Sequence, residues 1–488
     1  MAKYLDDDIV DLRRDDGTVG QYFWGDKVEL VPGALKHQRI RVLGINGVID
    51  EGLVSSKARF RDDALLRLSM IDVQQGDGLI LETPGGKTVF IDGGDNQLFA
   101  RHAAARFRGT TAAKPLIVDL ILVTHGDADH FDGLNELRKS ETDTRPLKRI
   151  FVAPKRYFHN GLVKRPGKNA QGEDRREVEM LGATTVAGGA TFVTGLVEDP
   201  AALPATERNK PFNNWVDTLA AWEPRVQAAT GQSIERRRID HTRAAAFDFL
   251  DDEEVDVELI GPIVEGTPAG PGLRFLRDPP DDAELMLGTV PSSGGSLSAS
   301  HTINGHSISF RLRYRNVRFM LTGDLNQESM QRMREALPGA ALRSEILKAP
   351  HHGSADFDME FLKETGAVVS LISSGDESAA KEYIHPRATL LAGLGKASRT
   401  TPAIIFITEL AAFFRVRGYV TDPRQGRFFA FERTNFGIIH IRTDGTRVLA
   451  LTHSGKEGMN EAYRFAVSAN GEVAFAAAVT KRSAPAKL

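Results

Sequence analysis

Between Val123 and Gly133 the chain reads Val-Thr-His-Gly-Asp-Ala-Asp-His-Phe-Asp-Gly, which gathers the metal-capable side chains His125, Asp127, Asp129 and His130 into one short turn. Alternation along a turn separates neighbouring side chains, so His125 and Asp127 would face one cation and Asp129 and His130 a second. The chemistry such a pair of ions supports is hydrolysis: they acidify a shared water and clamp the attacking and leaving oxygens of a displacement. Three later segments supply further donors. Phe319-Met-Leu-Thr-Gly-Asp324 ends an apolar run in a glycine turn with one carboxylate, suited to bridging two ions. Pro350-His-His-Gly-Ser354 places His351, His352 and Ser354 after Ile346-Leu-Lys348, and His385-Pro386 follows the apolar run 368–374. Alone, Thr-Gly-Asp and His-Pro read as ordinary turns, whereas the rarer His-His-Gly-Ser run favours function by itself. Their shared position after apolar strands is what joins them.

The elements that must position these residues follow from hydrophobic periodicity. Leu116 to Val123 is apolar and rich in β-branched residues, as a buried strand is, and delivers His125 just past its carboxyl end. Leu66–Val73, Gly78–Thr83 and Lys87–Asp92 read as consecutive strands joined by tight turns, with a helix over Asn96–Arg108. Strands return at Ser307–Arg313, Val317–Thr322 and Gly437–Arg442. A layered α/β enzyme fits this order. Residues 1–62 hold short strand-like pieces and form a β-rich accessory element; 63–488 form the catalytic domain. The interval of about 155–300 breaks the alternation and reads as an insertion over the site, with a helical stretch at Trp215–Ala229.

Composition narrows the field. A formal net charge of −3 gives no global basic signature, so any nucleic-acid contact must come from local patches. No cysteine is present, which excludes disulfides, thiolate zinc sites and a cysteine nucleophile. The acidic start and the lack of any apolar run of about 18–20 residues lead us to expect a soluble, cytoplasmic protein with no membrane partner.

These motifs together resemble the metallo-β-lactamase fold hydrolases, and within them the branch typified by the nuclease domain of the ComEC competence protein. Ile71-Asp-Val-Gln-Gln-Gly-Asp-Gly looks like the branch's opening segment, with Gln74 where glycine is usual. Phe90-Ile-Asp-Gly-Gly94 matches its first acidic motif, His125–His130 its metal loop and Asn304-Gly-His-Ser307 its Asn-x-x-Ser element. Thr322-Gly-Asp324, Pro350–Ser354 and His385-Pro386 match its closing motifs. The resemblance covers about 65–395 and implies an αββα sandwich. Asp127 stands where the wider superfamily has histidine, a change this branch shares; a carboxylate there hardens the site and makes manganese as suitable as zinc. The superfamily's third-motif histidine has no certain counterpart, although His301 and His306 lie nearby.

On this reading His125, Asp127 and bridging Asp324 hold one ion, and Asp129, His130, Asp324 and His352 the other. The resemblance favours His352 over His351 as ligand. Asp129 would also orient the attacking hydroxide. Asp92 would fix the metal loop or a histidine tautomer, since ligating imidazoles donate their other N–H to an acceptor. His351, Ser354 and His385 would contact the phosphate or protonate the leaving group, with Asn304 and Ser307 as further substrate contacts. A phosphodiester substrate such as DNA or RNA follows from the branch resemblance. For nucleic acid the local signal is Lys155-Arg156, Lys164-Arg165, Lys168, Arg175-Arg176 and Arg236-Arg237-Arg238, interleaved with Tyr157 and Phe158. Competing readings are a hydrolase of small phosphodiesters (cyclic nucleotides, phosphocholine esters), an ester, thioester or lactam hydrolase, and a catalytically spent binding module.

Overall fold

The computed structural model describes residues 3–32, 38–279, 295–337, 342–375, 385–409, 414–422, 426–433, 437–453 and 459–485. Two large sheets carry most of the chain after the first 62 residues. In the first, ten strands run in the order 235–238, 156–159, 120–122, 88–92, 78–82, 66–70, 438–443, 447–453, 459–467 and 473–475. The second has six, in the order 255–261, 309–314, 317–321, 346–348, 369–372 and 404–407.

Side-chain alternation explains why the two sheets stack. Leu66, Leu68, Leu79, Leu81, Val89, Ile91, Leu120 and Leu122 point from the first sheet into a core shared with Phe310, Leu312, Phe319, Leu321, Ile346, Val369 and Leu371 of the second. The alternate residues Ile80, Phe90 and Ile121 point outward and are covered by helices Leu98–Arg106, Ala128–Ser140 and Lys210–Thr230 through Phe99, Phe131, Leu134, Trp215 and Trp222. On the far side Met320 and Leu347 meet Met330, Met333, Phe361, Leu362, Leu390 and Leu394 from helices Gln327–Ala336, Met359–Thr365 and Ala388–Ala397. The result is a helix, sheet, sheet, helix sandwich.

The expected single strand over 116–123 is two. Leu116–Val118 pairs with Val152–Pro154, whereas Leu120–Leu122 joins the ten-stranded sheet. Asp119 marks the break: its carboxylate accepts the Thr88 amide at 3.0 Å and the Lys155 ammonium at 2.7 Å, so it cannot sit in a uniform apolar strand. The 155–300 stretch supplies strands to both main sheets, at 156–159, 235–238 and 255–261, besides a small four-stranded sheet of its own. The first 62 residues form strands of an eight-stranded sheet that Lys481–Arg482 joins by parallel pairing with Ile9–Arg13. Ile9, Phe23 and Trp24 of that element pack on Leu449 and Leu451.

Strands 88–92 and 120–122 are parallel, as are 317–321, 346–348, 369–372 and 404–407. Their carboxyl ends therefore open on one edge of the sandwich, where α/β sheets place ligands.

Candidate metal centre

Asp92 ends its strand, and His125 follows strand 120–122. Asp324 follows 317–321, and His351 and His352 follow 346–348. Asp129 and His130 lie in the first turn of helix Ala128–Ser140, whose positive end favours the carboxylates of Asp127 and Asp129. Gly93 N donates to His130 O at 2.7 Å, Gly94 N to Asp77 O at 2.7 Å and His351 N to Gly323 O at 3.2 Å, so the loops are tied to each other. Gln74, Asp92, His351 and His352 all have left-handed backbones, with φ of 66°, 56°, 44° and 51°. For non-glycine residues that conformation costs on the order of 1–3 kcal/mol each and persists only where surrounding structure imposes it.

His130 Nε2 and His352 Nε2 lie 3.3 Å apart, and each is near the same oxygen, Asp324 Oδ2, at 3.2 and 3.0 Å. Asp129 Oδ2 is 3.7 Å from His352 Nε2. Each imidazole meets a buried carboxylate at its other nitrogen: His130 Nδ1 at 2.8 Å from Asp92, His352 Nδ1 at 3.4 Å from Asp77. Asp92 also accepts from Thr124, backbone and hydroxyl, both at 2.7 Å.

Burial and the adjoining charges compete at this cluster. Burial disfavours charge on His352, but Asp324 and Asp77 outweigh it and lift its pKa to about 9. Burial opposes His130 likewise, yet Asp324 and Asp92 raise it well above the usual histidine range. Asp324, although buried, is held well below the usual carboxylate range by His352, His130, His351 and Lys348. Were both rings protonated, two cationic imidazoles would face each other 3.3 Å apart. One shared divalent ion removes that repulsion, and its tetrahedral ligand shell, with bonds of about 2.0–2.1 Å, has donors about 3.3–3.4 Å apart. Asp324 Oδ1 is buried without a hydrogen-bond partner, as is His351 Nδ1. The donor set fits a divalent metal.

Among the described residues, the buried group whose donor atoms come close enough for one ion is Asp77, His130, Asp324 and His352. Asp77 approaches His352 through the nitrogen remote from His130, so it orients that ring. Asp77 lies in the quoted Gln74-Gln-Gly-Asp-Gly segment, where an acid between glycines reads as a turn. Lys348, 1 % exposed, ion-pairs with Asp77 and lies 3.5 Å from Asp324 Oδ1. Its signal was a lysine inside an apolar strand that ends at two histidines.

The other expected residues are placed as follows. His125 Nε2 is 4.0 Å from Asp324 Oδ2, and its Nδ1 lies 3.1 Å from Thr124 Oγ1 and 3.2 Å from Ser307 Oγ. Ser307 Oγ in turn accepts the Asp324 amide at 2.9 Å. Hydrogen bonding sets the Asn304 amide nitrogen toward Asp127 Oδ2 at 2.8 Å and His125 Nε2 at 3.2 Å. Asp127 Oδ1 takes the Lys164 ammonium at 2.8 Å. His351 Nε2 is 3.8 Å from Asp324 Oδ2, and the His351 and His385 rings are 5.8 Å apart. Burial, then His351 and His352, push His385 down to about 3, so it is a neutral imidazole. Ser354 Oγ accepts the Asp356 amide at 3.2 Å. His306 donates toward Arg274 O at 2.7 Å and His301 faces Asp356 at 3.4 Å, so neither completes the first position.

Arg236, Arg237 and Arg238 stand on the edge strand of the ten-stranded sheet. Arg236 pairs with Glu223 and Asp199, Arg237 with Glu235, and Arg238 with Glu198 and Asp240. Lys155, Arg156, Arg165, Arg175 and Arg176 are also ion-paired, to Asp119, Glu235, Glu207 and Glu179. Tyr157 and Phe158 are fully buried.

The family model of the metallo-beta-lactamase superfamily matches residues 71–375, well over half of the chain. The chain belongs to the metallo-beta-lactamase superfamily. The matched span contains every donor of the cluster just described, from Asp77 to His352. Members of the superfamily are generally metal-dependent hydrolases, and the buried His/Asp cluster is a site that could hold such a metal. No curated protein matches the chain. Among the described residues no helix is long and apolar enough to cross a membrane.

Proposed function

We propose that this metallo-beta-lactamase superfamily protein is a metal-dependent phosphodiester hydrolase of the ComEC-like branch, acting with two divalent cations, zinc or manganese. One ion belongs to Asp129, His130, Asp324 and His352, the other to His125, Asp127 and Asp324. The observation that carries the reading is the pair of imidazole Nε2 atoms 3.3 Å apart on one Asp324 oxygen, each backed by a buried carboxylate.

Bound there, divalent ions would supply Lewis-acid activation of water and neutralise charge building on phosphorus oxygens. The protein's own groups do the rest. Asp92 and Asp77 set the rings of His130 and His352, so the donors are oriented before substrate arrives. Asp129, partly exposed at the cluster's rim, accepts the proton of the attacking water. Neutral His351 and His385 would present N–H groups to the phosphate, whereas Ser307, fully buried, and Asn304 hold His125, Asp127 and Asp324 in place instead of reaching substrate as their position in the sequence suggests.

The favoured substrate class is the phosphodiester, because carboxylate-rich centres select hard, oxygen-preferring ions. DNA and RNA belong to that class. One observation favours small phosphodiesters over a long backbone: Lys155, Arg156, Arg165, Arg175, Arg176 and Arg236–Arg238, which could have tracked phosphates, are answered by the protein's own carboxylates. The test is a screen of single-stranded DNA, duplex DNA, RNA, cyclic dinucleotides and bis-p-nitrophenyl phosphate with manganese, zinc and magnesium. Metal-dependent release of phosphomonoester is expected; cleavage confined to carboxylic esters or lactams would overturn the reading.

A further inference from the structure

The two halves of the centre differ in what their donor atoms already hold. At His130, His352 and Asp324 the facing atoms among the described residues are the ligands' own; the nearest other cation, Lys348, is paired with Asp77 and stands 3.5 Å from Asp324 Oδ1, which makes no hydrogen bond. At His125 and Asp127 every donor is spoken for. Asp127 Oδ1 holds the Lys164 ammonium at 2.8 Å, Asp127 Oδ2 receives the Asn304 amide at 2.8 Å, and that amide also reaches His125 Nε2 at 3.2 Å. The backbone of Lys164 is anchored and its ammonium has two partners. Its carbonyl accepts the Asn209 amide at 2.9 Å, its neighbours Leu162 and Val163 are buried, and its ammonium also bonds Ser300 Oγ at 3.3 Å. Neither His306 nor His301 stands in for the missing third ligand, since both are engaged elsewhere.

We propose that Lys164 is an internal cation occupying the first metal position, so that the protein binds one divalent ion tightly and a second only by displacing Lys164 and Asn304 from Asp127 and His125. The proposal rests on the metal-centre reading above and deepens it. An ammonium bonded to a carboxylate oxygen neutralises the charge a metal ion would need and occupies the same oxygen, so the two cations compete for Asp127 Oδ1. Occupancy of the second position then becomes a function of metal supply, and Lys164 sets its threshold. Arginine at 164 would preserve the competing charge; methionine would keep the stem and remove it.

The test reads binding, independent of turnover. Apo-protein is titrated with zinc and with manganese by calorimetry, and metal content is measured after desalting, for wild type, Lys164→Met and Lys164→Arg. Wild type is expected to retain about one ion per chain and to show a second, weaker binding step. Lys164→Met should tighten that second step by at least about tenfold, and Lys164→Arg should resemble wild type. Two ions of equal affinity in wild type, or a second step unchanged in a folded Lys164→Met, would overturn the proposal. Should Lys164→Met fail to fold, the wild-type stoichiometry decides by itself. A wild type that binds no ion would sink the metal centre as a whole, whereas one tight ion without phosphodiester turnover would sink only the proposed substrate class.

Discussion

Asp77 Oδ1 lies 3.4 Å from His352 Nδ1 while its other oxygen is ion-paired with Lys348, so one buried carboxylate ties a histidine at the centre to a lysine inside the adjacent strand. Asp92 does the same service for His130, with Thr124 as its second partner. Both rings are thereby held with Nε2 toward Asp324.

Asp77→Asn removes the charge that polarises His352 and leaves Lys348 half-paired in a buried place. Metal affinity should fall by about ten- to a hundred-fold, the range for losing a carboxylate behind a ligating imidazole. Competition with a chromophoric chelator measures it. Unchanged affinity would remove Asp77 from the centre.

Asp324→Ala deletes the oxygen shared by both imidazoles. Turnover should drop by at least about a hundredfold, the scale for losing one electrostatic group at a reacting centre, while far-UV circular dichroism stays that of the wild type. Activity within threefold of wild type would contradict the proposed role.

The raised pKa values of His130 and His352 make proton and metal competitors. Burial opposes their charge, but the adjoining carboxylates win, placing His352 at about 9. Groups raised on folding stabilise the metal-free protein fully below about pH 6.5, the unfolded value, and that contribution is lost as pH rises through about 9. The melting temperature of metal-free protein should therefore fall between these limits, whereas metal-loaded protein should hold. Apparent metal affinity should climb over the same interval, by up to about tenfold per pH unit for each proton displaced. A pH-independent affinity would contradict the linkage.

Gly76 has φ of +91°, and a Cβ there would sit 1.6 Å from Asp129 O. Gly76→Ala should destabilise the fold by at least about 2 kcal/mol and displace the start of helix Ala128–Ser140. Gln74, two residues earlier with φ of 66°, is the opposite case. Gln74→Gly should relieve left-handed strain and raise stability by up to about 1 kcal/mol. Chemical denaturation measures both; a melting curve for Gly76→Ala that overlays the wild type would show that the loop has room the structure denies.

The framework was legible where apolar runs end abruptly in Gly-, Asp- or His-bearing turns. Strands 66–70, 78–82, 88–92 and 317–321 lie within one to three residues of their sequence-based bounds, because alternation and turn residues both mark them. The break at Asp119 was not legible: one acid inside an apolar run gives no sign of which neighbour will claim its oxygens. The interval 155–300 looked irregular because its strands, four residues long at 156–159 and 235–238, are spaced by loops and helices of variable length. In the centre, Asp77 and Lys348 escaped notice for one physical reason. Their meaning depends on partners at residues 352 and 324, which only folding brings close. Lys164 and Arg236–Arg238 read as a basic patch because sequence displays charge but not the carboxylate that answers it.

The central claim is that His130, His352 and Asp324 enclose a divalent cation. Anomalous diffraction from crystals of zinc- or manganese-loaded protein, collected on either side of the metal edge, tests it directly. A strong anomalous peak bonded to His130 Nε2, His352 Nε2 and Asp324 is expected, at about 2.0–2.2 Å for zinc. Crystals grown at saturating metal that show no peak between those atoms, or a peak only at surface carboxylates, would contradict it.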